Sequence, residues 1–265
     1  MKIKIINLLM VSNTNKETFV ISGGTTGVAK QVVIELVRLG YNVIFGDIDN
    51  TDTSKKLLSE LKLYNGKAYF LLTDVTKTED CERLFKFAFD NFKRIDGFFS
   101  YSGITPTQSL LECTEELHDK IFNVNLKGSL FCSKYAVKYM KENNGGSIIF
   151  TGSPHAWAGE IDRVSYACSK GAIITLSDHI SKHYAKYNIR SNYITMGWTP
   201  TEGELLLRKS QGISEQELRN LASDIVPMGR MTEIEDIVPT IVYLLSNKSK
   251  MISGSNIRIT GGWFL

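Results

Sequence analysis

The chain has 265 residues, 43% hydrophobic and 22% charged, with a formal net charge of +3. Such a balance suits a globular protein that buries a sizeable core in a single α/β domain. The small charge, with Lys and Arg spread along the chain, argues against nucleic acid or a membrane surface as partner.

Residues 1–16 form an expected leader, poorly ordered or packed at an edge, ahead of one domain over 17–265. Its apolar run, Ile5 to Val11, is too short to span a bilayer and lacks a small-residue cleavage site after it. Thr18–Ser22 then reads as a buried strand and Val28–Leu39 as a helix ended by Gly40. Asn42–Gly46 (strand), Thr53–Leu63 (helix), Lys67–Leu72 (strand), Thr78–Phe92 (helix) and Gly97–Ser100 (strand) continue the alternation. A long helix is expected over Leu117–Asn143, a strand over Ser147–Thr151, a helix over Tyr166–Tyr187 and a strand over Ile189–Ile194. Residues 203–223 interrupt the pattern with two short helices. A helix over Glu233–Leu245 and a strand over Asn256–Thr260 complete it.

Strands alternating with helices imply a parallel sheet with helices on both faces, and the uninterrupted apolar strands agree. The 203–223 excursion is expected over the carboxyl edge of the sheet, where such folds bind ligands. Cys81, Cys113, Cys132 and Cys168 are scattered without a Cys-x-x-Cys pair, which suits reduced thiols in a cytoplasmic protein. His179 and His183 share a helix face, but no Glu follows His179 in the hydrolytic pattern, so a solvated surface is expected and no metal site.

Between the first strand and helix runs Val20-Ile-Ser-Gly-Gly-Thr-Thr-Gly27-Val-Ala29. Glycines there let the backbone approach a pyrophosphate, whose charge suits the helix N-terminus. Asp47 ends the second strand, twenty residues past Gly27, where a carboxylate accepts from the ribose hydroxyls of an adenosine and repels a 2′-phosphate. No Lys or Arg follows within several positions, so NAD is favoured over NADP. Tyr166 and Lys170 lie one helical turn apart on one face, where an ammonium favours the phenolate and lowers the tyrosine's pKa toward acid–base work. Ser153, thirteen residues upstream, supplies a hydroxyl for a substrate oxygen.

Taken together, Ser22-Gly-x-x-x-Gly27-x-Ala29, Asp47, Asp74-Val75, Asn125, Ser153, Tyr166-x-x-x-Lys170 and Pro227-Met-Gly-Arg230 resemble the short-chain dehydrogenase/reductase family in order and spacing. Ile189-Arg-Ser-Asn192, Met196-Gly197, Ile252-Ser-Gly254 and Thr260-Gly-Gly262 extend the match from about Thr18 to Trp263. The resemblance implies a doubly wound, seven-stranded parallel sheet (a Rossmann fold), a nicotinamide cofactor and a catalytic group of Asn125, Ser153, Tyr166 and Lys170. Tyr166 would be the acid/base and Ser153 would polarise the substrate oxygen. Lys170 would hold the nicotinamide ribose, and Asn125, with Asn123 as competitor, a water leading to Lys170. The cofactor would lie along Ser22, Gly23, Thr25, Thr26, Gly27, Val28, Asp47, Asp74, Val75, Ser102, Gly103, Gly197, Thr199 and Thr201, besides Tyr166 and Lys170.

Several positions depart from the family pattern. Ser100-Tyr-Ser-Gly103 stands where Asn-Asn-Ala-Gly is common, so the tie between strands must come from elsewhere, and Tyr101 narrows the cofactor channel. Met196 replaces a proline before Gly197. The expected reaction is hydride transfer between NAD(H) and a secondary alcohol or ketone. His155, Trp157 and Trp198 are expected at the substrate pocket, which suits a sugar, polyol or other polar alcohol, with hydroxysteroid and 3-oxoacyl substrates as alternatives. A catalytically silent cofactor-binding sensor or scaffold, or a carbohydrate- or lipid-binding module, are the readings from other classes. The resemblance also implies a homo-oligomer, a dimer or tetramer, assembled through the long helices, with the apolar Trp263-Phe-Leu265 end covered.

Overall fold

The computed structural model describes residues 16–48 and 51–263. The rest of the expected leader, residues 1–15, and the terminal Phe264-Leu265 lie outside the described residues. Lys16 is described, and its ammonium donates to the Asn65 carbonyl at 2.9 Å.

The strands are β1 (Thr18–Ser22), β2 (Asn42–Asp47), β3 (Lys67–Leu72), β4 (Gly97–Ser100), β5 (Gly146–Gly152), β6 (Ile189–Met196) and β7 (Asn256–Ile259). The helices are α1 (Gly27–Arg38), α2 (Thr51–Leu61), α3 (Thr78–Phe92), α4 (Glu115–Phe122), α5 (Gly128–Glu142), α6 (Val164–His183), α7 (Glu202–Ser210), α8 (Glu215–Ile225) and α9 (Ile234–Leu245). All strands pair in parallel, in one seven-stranded sheet ordered β3-β2-β1-β4-β5-β6-β7. The order reverses between β1 and β4, and there the loops leaving the carboxyl ends part to open a crevice.

Alternation along the central strands feeds two cores. Phe19, Ile21, Phe99 and Ile149 point to the side of α1 and α9, where Val32, Leu36, Ile237 and Ile241 meet them. Val20, Phe98, Ile148 and Phe150 point to α3, α5 and α6, against Phe85, Cys132, Tyr139 and Ile173. Burial of each such side chain stabilises by about 1.5–3 kcal/mol. The edge strands depart from the uninterrupted apolar pattern. β7 alternates between exposed and half-buried positions, and β3 does so from Lys67 to Phe70, leaving Tyr69 and Leu72 exposed.

The long helix expected over Leu117–Asn143 is two helices joined by a π-helical turn at Asn123–Lys127. Gly128 follows the turn and packs so closely on Val75 that a Cβ would lie 2.8 Å from its Cγ2. Wider turns of this kind cluster at functional sites, and this one carries Asn125. The Tyr–Lys helix starts at Val164 and ends at His183, four residues before the expected Tyr187. The excursion forms α7 and α8, the latter opened by a capping box of Ser214 and Glu217. Leu218, Ala222, Val226 and Met231 give it a small core of its own, against which Trp198 and Trp263 pack.

Candidate active site

β5 delivers Ser153 to the crevice. A Cβ at Gly152 would run into the Tyr193 ring, so the glycine lets that phenol pass beneath the turn. Tyr193 is buried on β6, its oxygen accepting the Ser153 backbone N–H at 3.1 Å and donating to the Lys170 carbonyl at 3.4 Å. Ser153 then opens a short 3₁₀ turn, its hydroxyl accepting the His155 N–H at 3.3 Å.

α6 brings Tyr166 and Lys170 to the same place. Tyr166 and Ser153 line the same cavity. The Lys170 ammonium lies 5.6 Å from the Tyr166 ring centroid and donates to the Thr151 carbonyl at 2.9 Å. The expected lowering of the phenol by this ammonium is not what the site shows. Burial pushes the Tyr166 phenol above its ordinary value, with the Ser153 side chain pulling the other way. The same burial drops Lys170 to about 8.

Asn125 is fully buried in the π turn. Its side-chain oxygen accepts the Ile104 N–H at 2.8 Å, and its amide donates to the Ile104 carbonyl at 3.0 Å and to Ser169 Oγ at 3.1 Å. The amide thus clamps the loop after β4 onto the Tyr–Lys helix. Gly103 sits against both groups, a Cβ there falling 3.4 Å from Asn125 Oδ1 and 3.7 Å from Lys170 Nζ.

The glycine-rich turn completes the opposite wall. Gly23 and Gly27 adopt φ of 73° and 54°, a conformation that side chains disfavour. The Ser22 carbonyl accepts from the backbone N–H groups of Tyr101 and Ser102, pinning the loop after β4 to this turn. Thr26 heads α1 without capping it, and the first turn carries no acidic side chain. Backbone N–H groups and a positive dipole end therefore face the crevice, which fits the diphosphate of a dinucleotide. Asp47 stands at the end of β2, one of its oxygens taking both the N–H and the hydroxyl of Thr25 and the other the Ile48 N–H. Asp74, just beyond β3, accepts from the Thr76 N–H and hydroxyl and faces Lys77 at 3.6 Å.

A cavity of about 340 Å³ joins these walls, lined by Thr26, Gly27, Val28, Gly103, Ser153, His155, Tyr166, Lys170, Gly197, Trp198, Thr199 and Thr201. Asp47, Asp74 and Val75 lie outside it, farther along the carboxyl edge. Trp157, expected at the substrate pocket, is not part of its lining: it is 49% exposed, with the Arg258 guanidinium 4.9 Å over its ring. Trp198 does line it, but its N–H is spent on Glu204 at 2.7 Å and its ring stacks on Trp263. Burial holds His155 below its ordinary range, and its Nδ1 accepts the Glu160 N–H at 3.2 Å, which leaves the proton on Nε2.

Two residues that the motifs do not mark shape the site. One is Tyr193. The other is Arg163, three before Tyr166 and 5% exposed, whose Nη1 grips the Thr105 carbonyl at 2.6 Å and hydroxyl at 2.8 Å while its buried Nε has no hydrogen-bond partner. Its spacing from Tyr166 is a signal that sequence reading could have used. Tyr193 offers none, since its place under Gly152 depends on the register of β6 against β5.

A family model described as enoyl-(acyl carrier protein) reductase matches residues 23–264. The chain is 32% identical over 250 residues to an uncharacterized oxidoreductase of Thermotoga maritima, covering 94% of this chain and 98% of that protein. It is 27% identical over 260 residues to L-rhamnose-1-dehydrogenase of Scheffersomyces stipitis, covering 97% and 99% respectively. The solved structure of ElxO with NADP bound superposes with a TM-score of 0.85 at 26% identity, covering 94% of this chain and 98% of that one. The chain belongs to the short-chain dehydrogenase/reductase family.

Proposed function

We propose that this protein is an oxidoreductase that moves a hydride between NAD(H) and a secondary alcohol or ketone. The observation that carries the reading is the meeting of Ser153, Tyr166 and Lys170 on one cavity that also opens onto the N-terminus of α1, whose first turn carries no acidic side chain. A bound nicotinamide supplies the hydride acceptor or donor. Ser153 holds the substrate oxygen, and Tyr166 on the same cavity takes the hydroxyl proton as phenolate in oxidation and gives it back as phenol in reduction. Lys170 and Asn125 hold the Tyr–Lys helix and the loop after β4 in register, so that the reacting groups stay oriented.

NAD is proposed over NADP because the Asp47 carboxylate would repel a 2′-phosphate, and no Lys or Arg stands at the next few positions to receive one. ElxO, a relative seen with NADP, makes the parallel use of both dinucleotides an essential control. The substrate proposed is a sugar, polyol or other polar alcohol. His155 Nε2–H and Arg163 offer donors beside Ser153, and a relative is named as a rhamnose dehydrogenase. A small-molecule substrate and a homo-oligomer, dimer or tetramer, acting in the cytoplasm complete the proposal. No described helix is long and apolar enough to cross a membrane.

A panel of sugars, polyols and secondary alcohols, followed by absorbance of the reduced cofactor with NAD and NADP in parallel, tests the reading. Tyr166→Phe should bind the dinucleotide as before and lose turnover by about 10²–10⁴-fold on the best substrate. Unchanged turnover in that variant would end the acid/base assignment.

A further inference from the structure

Tyr101 follows β4 directly and reaches across the crevice to the glycine-rich turn. Its ring packs on Phe99, centroids 5.7 Å apart, and its hydroxyl oxygen lies 3.4 Å from the backbone nitrogen of Val28, whose N–H it accepts. The same oxygen fills the space above Gly27, where a Cβ would come within 2.6 Å of it. Val28 is the second residue of α1, and its N–H is one of the donors that a helix start leaves for an anion. Burial pushes the phenol up to about 12, so a neutral hydroxyl stands there at ordinary pH.

A neutral phenol on that N–H occupies the place that a phosphate oxygen would take. We propose that Tyr101 is a built-in competitor for the cofactor's diphosphate: the dinucleotide seats fully only when the phenol leaves Val28, so residue 101 sets cofactor affinity. The proposal rests on the dinucleotide reading above. The contact that must break is long and weak. If the phenol-out form makes up about one molecule in ten, apparent affinity falls about tenfold relative to a chain without the competitor.

The test titrates NADH and NADPH into the purified full chain and into Tyr101→Phe, Tyr101→Asn and Tyr101→Ala, following tryptophan quenching and cofactor fluorescence. Thermal unfolding of each variant without dinucleotide reports whether it is folded. Tyr101→Phe keeps the packing on Phe99 and removes only the competing oxygen, so it remains informative if the smaller residues unfold the loop. The expected result is a lower Kd in Tyr101→Phe, and about tenfold tightening in whichever of the smaller variants fold. A Kd in Tyr101→Phe equal to or weaker than that of the parent overturns the proposal and leaves the dinucleotide reading intact. Absence of binding of either dinucleotide to parent and variants alike overturns both.

Discussion

Tyr193 holds Ser153 from below, accepting its backbone N–H at 3.1 Å and donating its own O–H to the Lys170 carbonyl at 3.4 Å. One buried phenol therefore ties the strand that carries the serine to the helix that carries the lysine. Tyr193→Phe leaves the Ser153 N–H buried without an acceptor, which costs about 1–3 kcal/mol. We expect a lower midpoint in urea and a fall in kcat of about tenfold or more, with dinucleotide Kd unchanged. Unchanged stability and kcat would show that the serine turn holds its shape alone.

Where the family commonly uses an asparagine to tie strands, hydroxyls stand in. Ser129 Oγ donates to the Asn125 carbonyl at 2.6 Å, so at 3.0 Å it serves as acceptor for Ser100 Oγ. Thr151 Oγ1 donates to the Ser100 carbonyl at 2.7 Å, crossing from β5 to β4. Ser129→Ala breaks two of these buried links and should destabilise by about 1–3 kcal/mol in chemical denaturation. Exposed Ser59→Ala, on α2, is the matched control and should change little.

Lys170 gives a pH dependence whose sign is fixed. Burial lowers its folded pKa to about 8 from 10.5, so between those values the unfolded chain binds the extra proton. Unfolding free energy then rises with pH across the window, by about 3 kcal/mol for the whole shift, and is level below it. Above pH 10 the raised phenols of Tyr101 and Tyr193 act in the opposite sense. Urea titrations of the parent and Lys170→Met from pH 7 to 10 should therefore show a rise in the parent that the variant lacks. Parallel curves would mean that the buried lysine does not titrate there.

Arg163 controls the loop over the substrate side of the cavity through its grip on Thr105. Arg163→Met removes two charge-assisted hydrogen bonds, each of a kind contributing about 1.5–3 kcal/mol. KM for the alcohol should rise by at least about tenfold, while dinucleotide Kd, read by fluorescence, stays near that of the parent. Loss of dinucleotide binding along with substrate binding would show instead that Arg163 supports the whole crevice.

Much of the fold was legible because it rests on local pattern. Apolar runs such as Thr18–Ser22 and amphipathic stretches such as Thr78–Phe92 mark their elements almost to the residue. The break at Asn123–Lys127 was not legible, since its residues are compatible with a continuous helix and the wider turn answers the close packing of Gly128 on Val75. The surroundings of Trp157 were not legible for a related reason. Its place two residues past His155 suggested the cavity, whereas the guanidinium over its ring comes from Arg258, distant in sequence.

Spacing along the chain determined which chemistry this protein carries: a glycine-rich turn ahead of a helix, a carboxylate at a strand end, and a phenol and an amine one helical turn apart. These are relations among near neighbours, governed by backbone geometry. Tertiary structure decided how those groups are tuned. Burial turned the expected acidic phenol into a raised one, Tyr193 came under Ser153 through strand register, and Tyr101 reached Val28. Desolvation and contact depend on which distant segments share a volume, and no local pattern encodes that.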